Sequence, residues 1–308
     1  AMQRGDWPTA ALLLDSAGSL GLMSDDDFQL LDAFLTLEMS EHALPLSRPD
    51  DPTPLDFRIF EAIGEPMPTA PLPRAFAAAD LRDLAGWKAQ LEASERLTRS
   101  GALNPNHLLG LYTERDPSAS GGIWDRVAAL QEFETALNSG DATALAGTLL
   151  PVWQAMQDAG IEVAFADLFA EQLAAFDLTG DAGELAWRIR LLSPGYETAA
   201  RAIPSDSRLN RYLAALAQGE PGRTAPPSNL AGAISTGFAA GIQPPADLQD
   251  RLSRGQLGEV ILRAMKLYHS GAAGNHADLT AALATFRTVG LEDTARQAAL
   301  QLMLLERG

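Results

Sequence analysis

GEPMPTAP at residues 64–71 and GEPGRTAP at residues 219–226 are near-copies of one motif, 155 positions apart in a chain of 308. Each reads as a sharp stop. A glycine closes a helical run, and the prolines after it cannot continue the helix. Sliding the chain on itself at that offset, without gaps, sets residues 64–99 against 219–254 and gives 12 identities in 36 positions. Conservative pairs extend the match, with Glu95 facing Asp250 and Thr98 facing Ser253. Upstream, Asp26 meets Asp181, Leu30 meets Leu185 and Leu37 meets Leu192. Downstream the register slips slightly, but AALxxF recurs at Ala128 and Ala281, and Leu-Tyr recurs at 111–112 and 267–268. An internal period of this length sets the architecture before any single element does. The chain therefore reads as two tandem homologous units, 1–153 and 154–308, with a seam near residue 153.

Working outward from the motif, apolar residues recur at helical spacing almost everywhere. A first helix is expected over residues 7–16, with Asp6 as its cap and Pro8 in its first turn. Ser24 caps a second, and Asp25, Asp26 and Asp27 stand at the positive end of its dipole. Residues 40–54 form a loop studded with prolines, and residues 57–63 form a short helix ended by Gly64. Further helices are expected over 87–99, from 105 through Tyr112, and over 124–137, 141–156, 165–176, 184–192 and 208–217. The stretch 221–245, rich in Pro, Gly, Ala and Ser, reads as loop and weak helix. Helices at 248–253, 257–268, 277–288 and 293–306 complete the chain. No segment shows the period of two and β-branched enrichment of a strand. The expected fold is all-α, with antiparallel helical hairpins stacked into a solenoid or superhelix.

Composition narrows the function classes. The chain is 46% hydrophobic and 20% charged, which is globular rather than disordered. No unbroken apolar run approaches the length needed to span a bilayer, and no signal peptide is visible, so no membrane insertion is expected. Net charge is −17 and uneven: residues 1–153 hold 10 basic and 23 acidic side chains, and 154–308 hold 13 and 17. Such a surface repels phosphate backbones and anionic lipid, so nucleic acid is not expected as a partner. A basic protein or peptide fits better. There are no cysteines, which excludes disulfides and thiolate chemistry and suits an oxidising compartment. Only two of the 23 basic residues are lysines, and alanine is abundant, a usage typical of a GC-rich bacterial source. A periplasmic location is expected, with the cytoplasm as the alternative.

The sequence carries no recognisable reactive constellation. His269 and His276 lie in HSGAAGNH with glycines between them, a spacing unlike that of helical zinc pairs. SASGG at 118–122 precedes a helix but lacks the strand and GK[ST] ending of a phosphate loop. No GxSxG motif is present. No catalytic residue, metal ligand or cofactor is therefore assigned. Among partner-binding candidates, Glu65 and Glu220 recur in the repeated turn. Arg96 and Arg99 in ERLTR recur as Arg251 and Arg254 in DRLSR, two arginines three apart on one helical face. The arginines could hold a partner's carboxylates, although pairing within so acidic a chain is the simpler expectation. Five tryptophans fall mostly on apolar faces and read as core.

LLGLY at 108–112 resembles the leucine–glycine–tyrosine box of tetratricopeptide repeats, and the run of hairpins resembles α-solenoid proteins in general. The chain departs from that family in lacking its period of about 34 residues. The resemblance implies architecture alone. Together these readings give an expected function: a non-enzymatic helical-repeat scaffold that binds a protein or peptide through an acidic concave surface. The alternatives are an enzyme or small-ligand binder with a pocket between the two units, and a structural part of a larger bacterial envelope assembly.

Overall fold

The computed structural model describes residues 13–14 and 87–305. Residues 13–14 are helical, within the first expected helix. The expected helices at 24–37 and 57–63, the proline-rich loop, the first GEP motif and Glu65 lie outside the described residues. Among the described residues there are thirteen α-helices, one 3-10 turn and no strand, so this part of the chain is all-α. Two compact units divide the chain between Asn104 and Pro105. The seam expected near residue 153 is a division by sequence likeness, and Trp153 itself stands inside a helix of the second compact unit.

In the first unit, α1 (Trp87–Arg99) buries Leu91, Ala93 and Leu97, while Lys88 and Glu92 pair in solvent one turn apart. The second unit opens with α2 (Pro105–Tyr112), α3 (Ile123–Ser139), α4 (Ala142–Ala159), α5 (Glu162–Leu173), α6 (Gly180–Leu192) and the short α7 (Tyr196–Ala199). It continues with α8 (Arg208–Ala217), the 3-10 turn Pro221–Arg223, α9 (Asn229–Gly237), α10 (Ala246–Ser253), α11 (Leu257–Ala272), α12 (His276–Thr288) and α13 (Glu292–Leu304).

Local chemistry accounts for the boundaries. Asp141 caps α4 by accepting the N–H groups of Thr143 and Ala144, at 2.8 and 3.4 Å. Ser207 and Ser228 cap α8 and α9 in the same way. The second GEP motif is the sharp stop its sequence promised. Gly219 takes φ +80°, its N–H donates to the Leu216 carbonyl, and the Glu220 N–H donates to that of Ala215. That paired arrangement is a Schellman closure, which a side chain with a Cβ resists. The stretch expected to be weak does hold a helix, α9, nucleated by its Ser228 cap. The four-residue α7 is too short to carry a periodic signal and went unforeseen.

Packing in the second unit forms two adjoining cores. In the first, α3 lies against α4, and α6 lies against both α4 and α5. Phe133, Phe165 and Phe169 meet with ring centroids 5.0–5.2 Å apart, and Trp153 adds an edge contact to Phe165 at 6.2 Å. Each such buried aromatic contributes about 1.5–3 kcal/mol by area alone. In the second core, α11 packs on α12, α12 on α9, and α13 on α6 and α8. Trp187, Tyr212, Ile234, Leu283 and Leu300 share this core. Three of its aromatic polar groups reach backbone carbonyls, whereas the buried Asn210 Oδ1 has no hydrogen-bond partner among the described residues. The Trp187 indole donates to the Ala199 carbonyl at 2.9 Å, and the Tyr212 hydroxyl donates to that of Ala231 at 2.7 Å. The Tyr268 hydroxyl reaches the Ala298 carbonyl at 2.8 Å. Burial pushes both of these tyrosines up to about 12, so they stay neutral pins between helices.

Candidate functional site

The C-terminal half of α5 presents Asp167, Ala170 and Glu171, with its cap residue Ala174, on one face, since residues three, four and seven apart align along a helix. Across from that face lie Arg190, near the end of α6, and the α6–α7 turn with Ser193, Pro194, Gly195 and Thr198. Between them is an open cleft of about 390 Å³. The space exists because the wall residues Ala170, Ala174 and Gly195 are small. The turn is held by its own bonds: the Ser193 hydroxyl donates to the Arg190 carbonyl at 2.8 Å and accepts the Gly195 N–H at 3.2 Å.

The cleft carries both signs of charge. Asp167 reaches solvent, yet the protein around its carboxyl disfavours ionisation and raises its pKa above the ordinary 3.8. Neither Asp167 nor Glu171 forms an ion pair among the described residues, and neither does Arg190, although all three line one space. Elsewhere in the unit the acidic side chains that face arginines do pair, as Glu184 does with Arg188 at 2.5 Å.

Charge across the second compact unit is lopsided. Residues 105–199 carry four arginines and fourteen acidic residues, a net of −10, whereas residues 200–308 carry eleven basic and nine acidic, a net of +2. Glu132, Asp158, Asp177 and Asp181 have no ion pair among the described residues. In the less acidic half, the outward face of α11 displays Leu262, 67% exposed, and Met265, 54% exposed, opposite the buried Val260 and Ala264.

The residues singled out by sequence fall as follows. Glu220 pairs with Arg223, three residues on, at 2.5 Å, and makes no pair with Arg251 or Arg254. Arg251 sits in the last turn of α10 and donates to Glu259 at 2.7 Å; Arg254, just past the helix end, pairs with Asp250 at 2.8 Å. These three charges thus engage neighbours within the chain. Arg96 and Arg99 lie in the last turn of α1, in the other compact unit. Glu65 is outside the described residues. His269 closes α11 and His276 opens α12, and no group of three metal-binding side chains occurs among the described residues. The SASGG loop spends its own polarity, because the Gly121 N–H donates to Asp125 at 2.8 Å.

Sequence reasoning missed Asp167, Glu171, Arg190 and Thr198. The only available signal was the Asp-x-x-x-Glu spacing within α5, one pair among 40 acidic residues. Among the described residues, no helix is long and apolar enough to cross a membrane. No protein-family model, curated protein or solved structure matches the chain.

Proposed function

We propose that the chain is a non-enzymatic helical-repeat scaffold that holds a basic protein or peptide against the acidic surface of α2–α7. The observation that carries this reading is the net charge of −10 over residues 105–199, with acidic side chains left unpaired among the described residues. A surface of one sign repels itself at a modest cost in stability and steers an oppositely charged partner into encounter. The same lopsidedness argues against a purely solubilising role, which would be served by charge spread over the whole unit.

We infer further that the hairpins are stacked from two homologous copies, 1–153 and 154–308. Two observations support it. Helices α3 and α4, and helices α11 and α12, are joined by turns of a few residues and pack on each other. The repeated AALxxF segments bury equivalent positions, Leu130 and Phe133 in one copy and Leu283 and Phe286 in the other.

The test is a cross-linking pull-down with the tagged chain in its native host, at low and moderate salt. A companion variant combines Glu132→Lys, Asp158→Lys and Asp177→Lys. One dominant basic partner, captured more strongly at low salt and lost from the variant, is the expected result. A partner held equally well by the variant refutes the acidic surface as its seat. The small-ligand alternative expected a pocket between the two units; the cleft between α5 and the α6–α7 turn supports small-ligand binding at a different place, since its lining comes wholly from residues 167–198, within the second unit.

A further inference from the structure

We propose that this cleft binds a free dibasic α-amino acid, of which lysine and ornithine are examples. The inference goes beyond the partner surface described above and does not depend on it. Its basis is a charge count in a bounded space. The volume of about 390 Å³ suits a small molecule. Its lining offers two carboxylates, Asp167 and Glu171, one guanidinium, Arg190, and the Thr198 hydroxyl. The complement of two negative groups and one positive group is a ligand with two ammoniums and one carboxylate. Arg190 provides a planar fork that matches a carboxylate with two parallel hydrogen bonds. Asp167 and Glu171, one turn apart on α5, present acceptors to the two ammonium ends.

The absence of an internal ion pair is what points outward. Asp167, Glu171 and Arg190 share the cleft but stand beyond pairing distance of one another. Groups of opposite sign held apart across an open space are set up to be bridged. Burial raises the pKa of Asp167, and no neighbouring cation offsets it. The small wall residues keep the space open between the charged sides, and the self-bonded Ser193–Gly195 turn fixes the far wall before any ligand arrives.

The experiment is isothermal titration of the full chain with L-lysine, paired with carbon-detected NMR of aspartate carboxyls. Saturable binding is expected at up to about 10 mM ligand. Arg190→Met and the Asp167→Asn, Glu171→Gln pair should each weaken it about tenfold or more. Ala174→Phe, at an exposed wall position, should block the site without changing any charge, and circular dichroism should show it folded. The Asp167 carboxyl should titrate at lower pH with L-lysine bound. Cadaverine, which keeps both ammoniums and lacks the carboxylate, should bind more weakly than lysine. The proposal is overturned if L-lysine shows no binding in this range, or if Ala174→Phe binds it as the wild type does. Equal affinity for cadaverine would remove the role of Arg190 and overturn it as well. Binding of trilysine without binding of free lysine would assign the cleft to the peptide surface instead.

Discussion

Two alanine substitutions on one helix should change stability in opposite directions. Both Gly258 and Gly271 lie in α11, where replacing glycine by alanine removes backbone freedom from the unfolded chain and favours the helix by up to about 1 kcal/mol. A Cβ added at Gly258 meets nothing within 4 Å. Because this position is in the first turn, Gly258→Ala should stabilise by roughly 0.5 kcal/mol. A Cβ added at Gly271 would stand 2.6 Å from the Leu279 Cβ and 2.7 Å from both its Cα and its backbone nitrogen. Carbon atoms rest about 3.5–4.0 Å apart, so the first turn of α12 would have to retreat by about 1 Å. Flexible side chains absorb such a demand, but here two of the three obstructing atoms are backbone. Overpacking of this kind costs about 1–3 kcal/mol, and the upper part of that range applies. After the helix gain is subtracted, Gly271→Ala should destabilise by about 1–2 kcal/mol, leaving the variants about 2 kcal/mol apart.

Urea unfolding followed by tryptophan fluorescence reads this difference, since Trp187 is only 3% exposed in the same core. The midpoints should move in opposite directions with unchanged slopes. In thermal scans, a unit of this size moves about 2–4 °C per kcal/mol, so the variants should melt about 4–8 °C apart. If Gly271→Ala is as stable as wild type, or both variants shift upward together, the close approach of α11 to α12 at Leu279 is wrong. The packing of the second core would then need to be redrawn.

Three other perturbations test other parts of the unit. Pro151 is exposed inside α4 and denies the Gly147 carbonyl its helical donor, so Pro151→Ala should stabilise by about 1–3 kcal/mol in urea unfolding. Arg296 on α13 donates to Glu197 at 2.5 Å and to the Ala217 carbonyl at 3.1 Å, and lies over the Tyr196 ring, tying α13 to α7 and α8. Arg296→Met should cost about 2–3 kcal/mol, and Arg296→Lys should not restore it, because an ammonium lacks the planar group that lies over the Tyr196 ring. Burial raises the Glu134 carboxyl above its ordinary 4.5, so the folded chain holds that proton more tightly than the unfolded chain. The stabilisation this provides is present at low pH and lost as pH rises through the raised value. Glu134→Gln should therefore raise the melting temperature at pH 7, with the difference closing as pH falls below 4.5.

The helices were legible where capping and periodicity agreed. The expected helices at 87–99 and 208–217 match α1 and α8, because glycine stops and apolar spacing mark both ends. Boundaries drifted where the signals separated. α5 was expected three residues too late, because Phe165 begins its aromatic stripe while the chain turns helical at Glu162, directly after the Ile161 cap. α9 was hidden by composition: Asn229–Gly237 holds two glycines and two serine or threonine residues, poor helix formers by propensity. Burial of Ala231 and Ile234 against α12 overrides that propensity, and tertiary burial has no local signature.

The cleft was illegible for a different reason. Its two acidic residues are one helical turn apart and visible as a pair, but nothing in the α5 sequence says which of many such pairs faces a cation. That cation, Arg190, lies two turns of chain and a helix away, and its distance from Asp167 depends on how α6 lies on α5. The turn that completes the wall ends in α7, four residues with no period of their own. A duplicated motif behaves in the opposite way. Glu220, Arg251 and Arg254 drew attention because they recur, yet each is engaged by a neighbour three to eight residues away. Charges that do not recur and have no internal partner, such as Asp167, Glu171 and Arg190, are therefore the better guide to what the second unit binds.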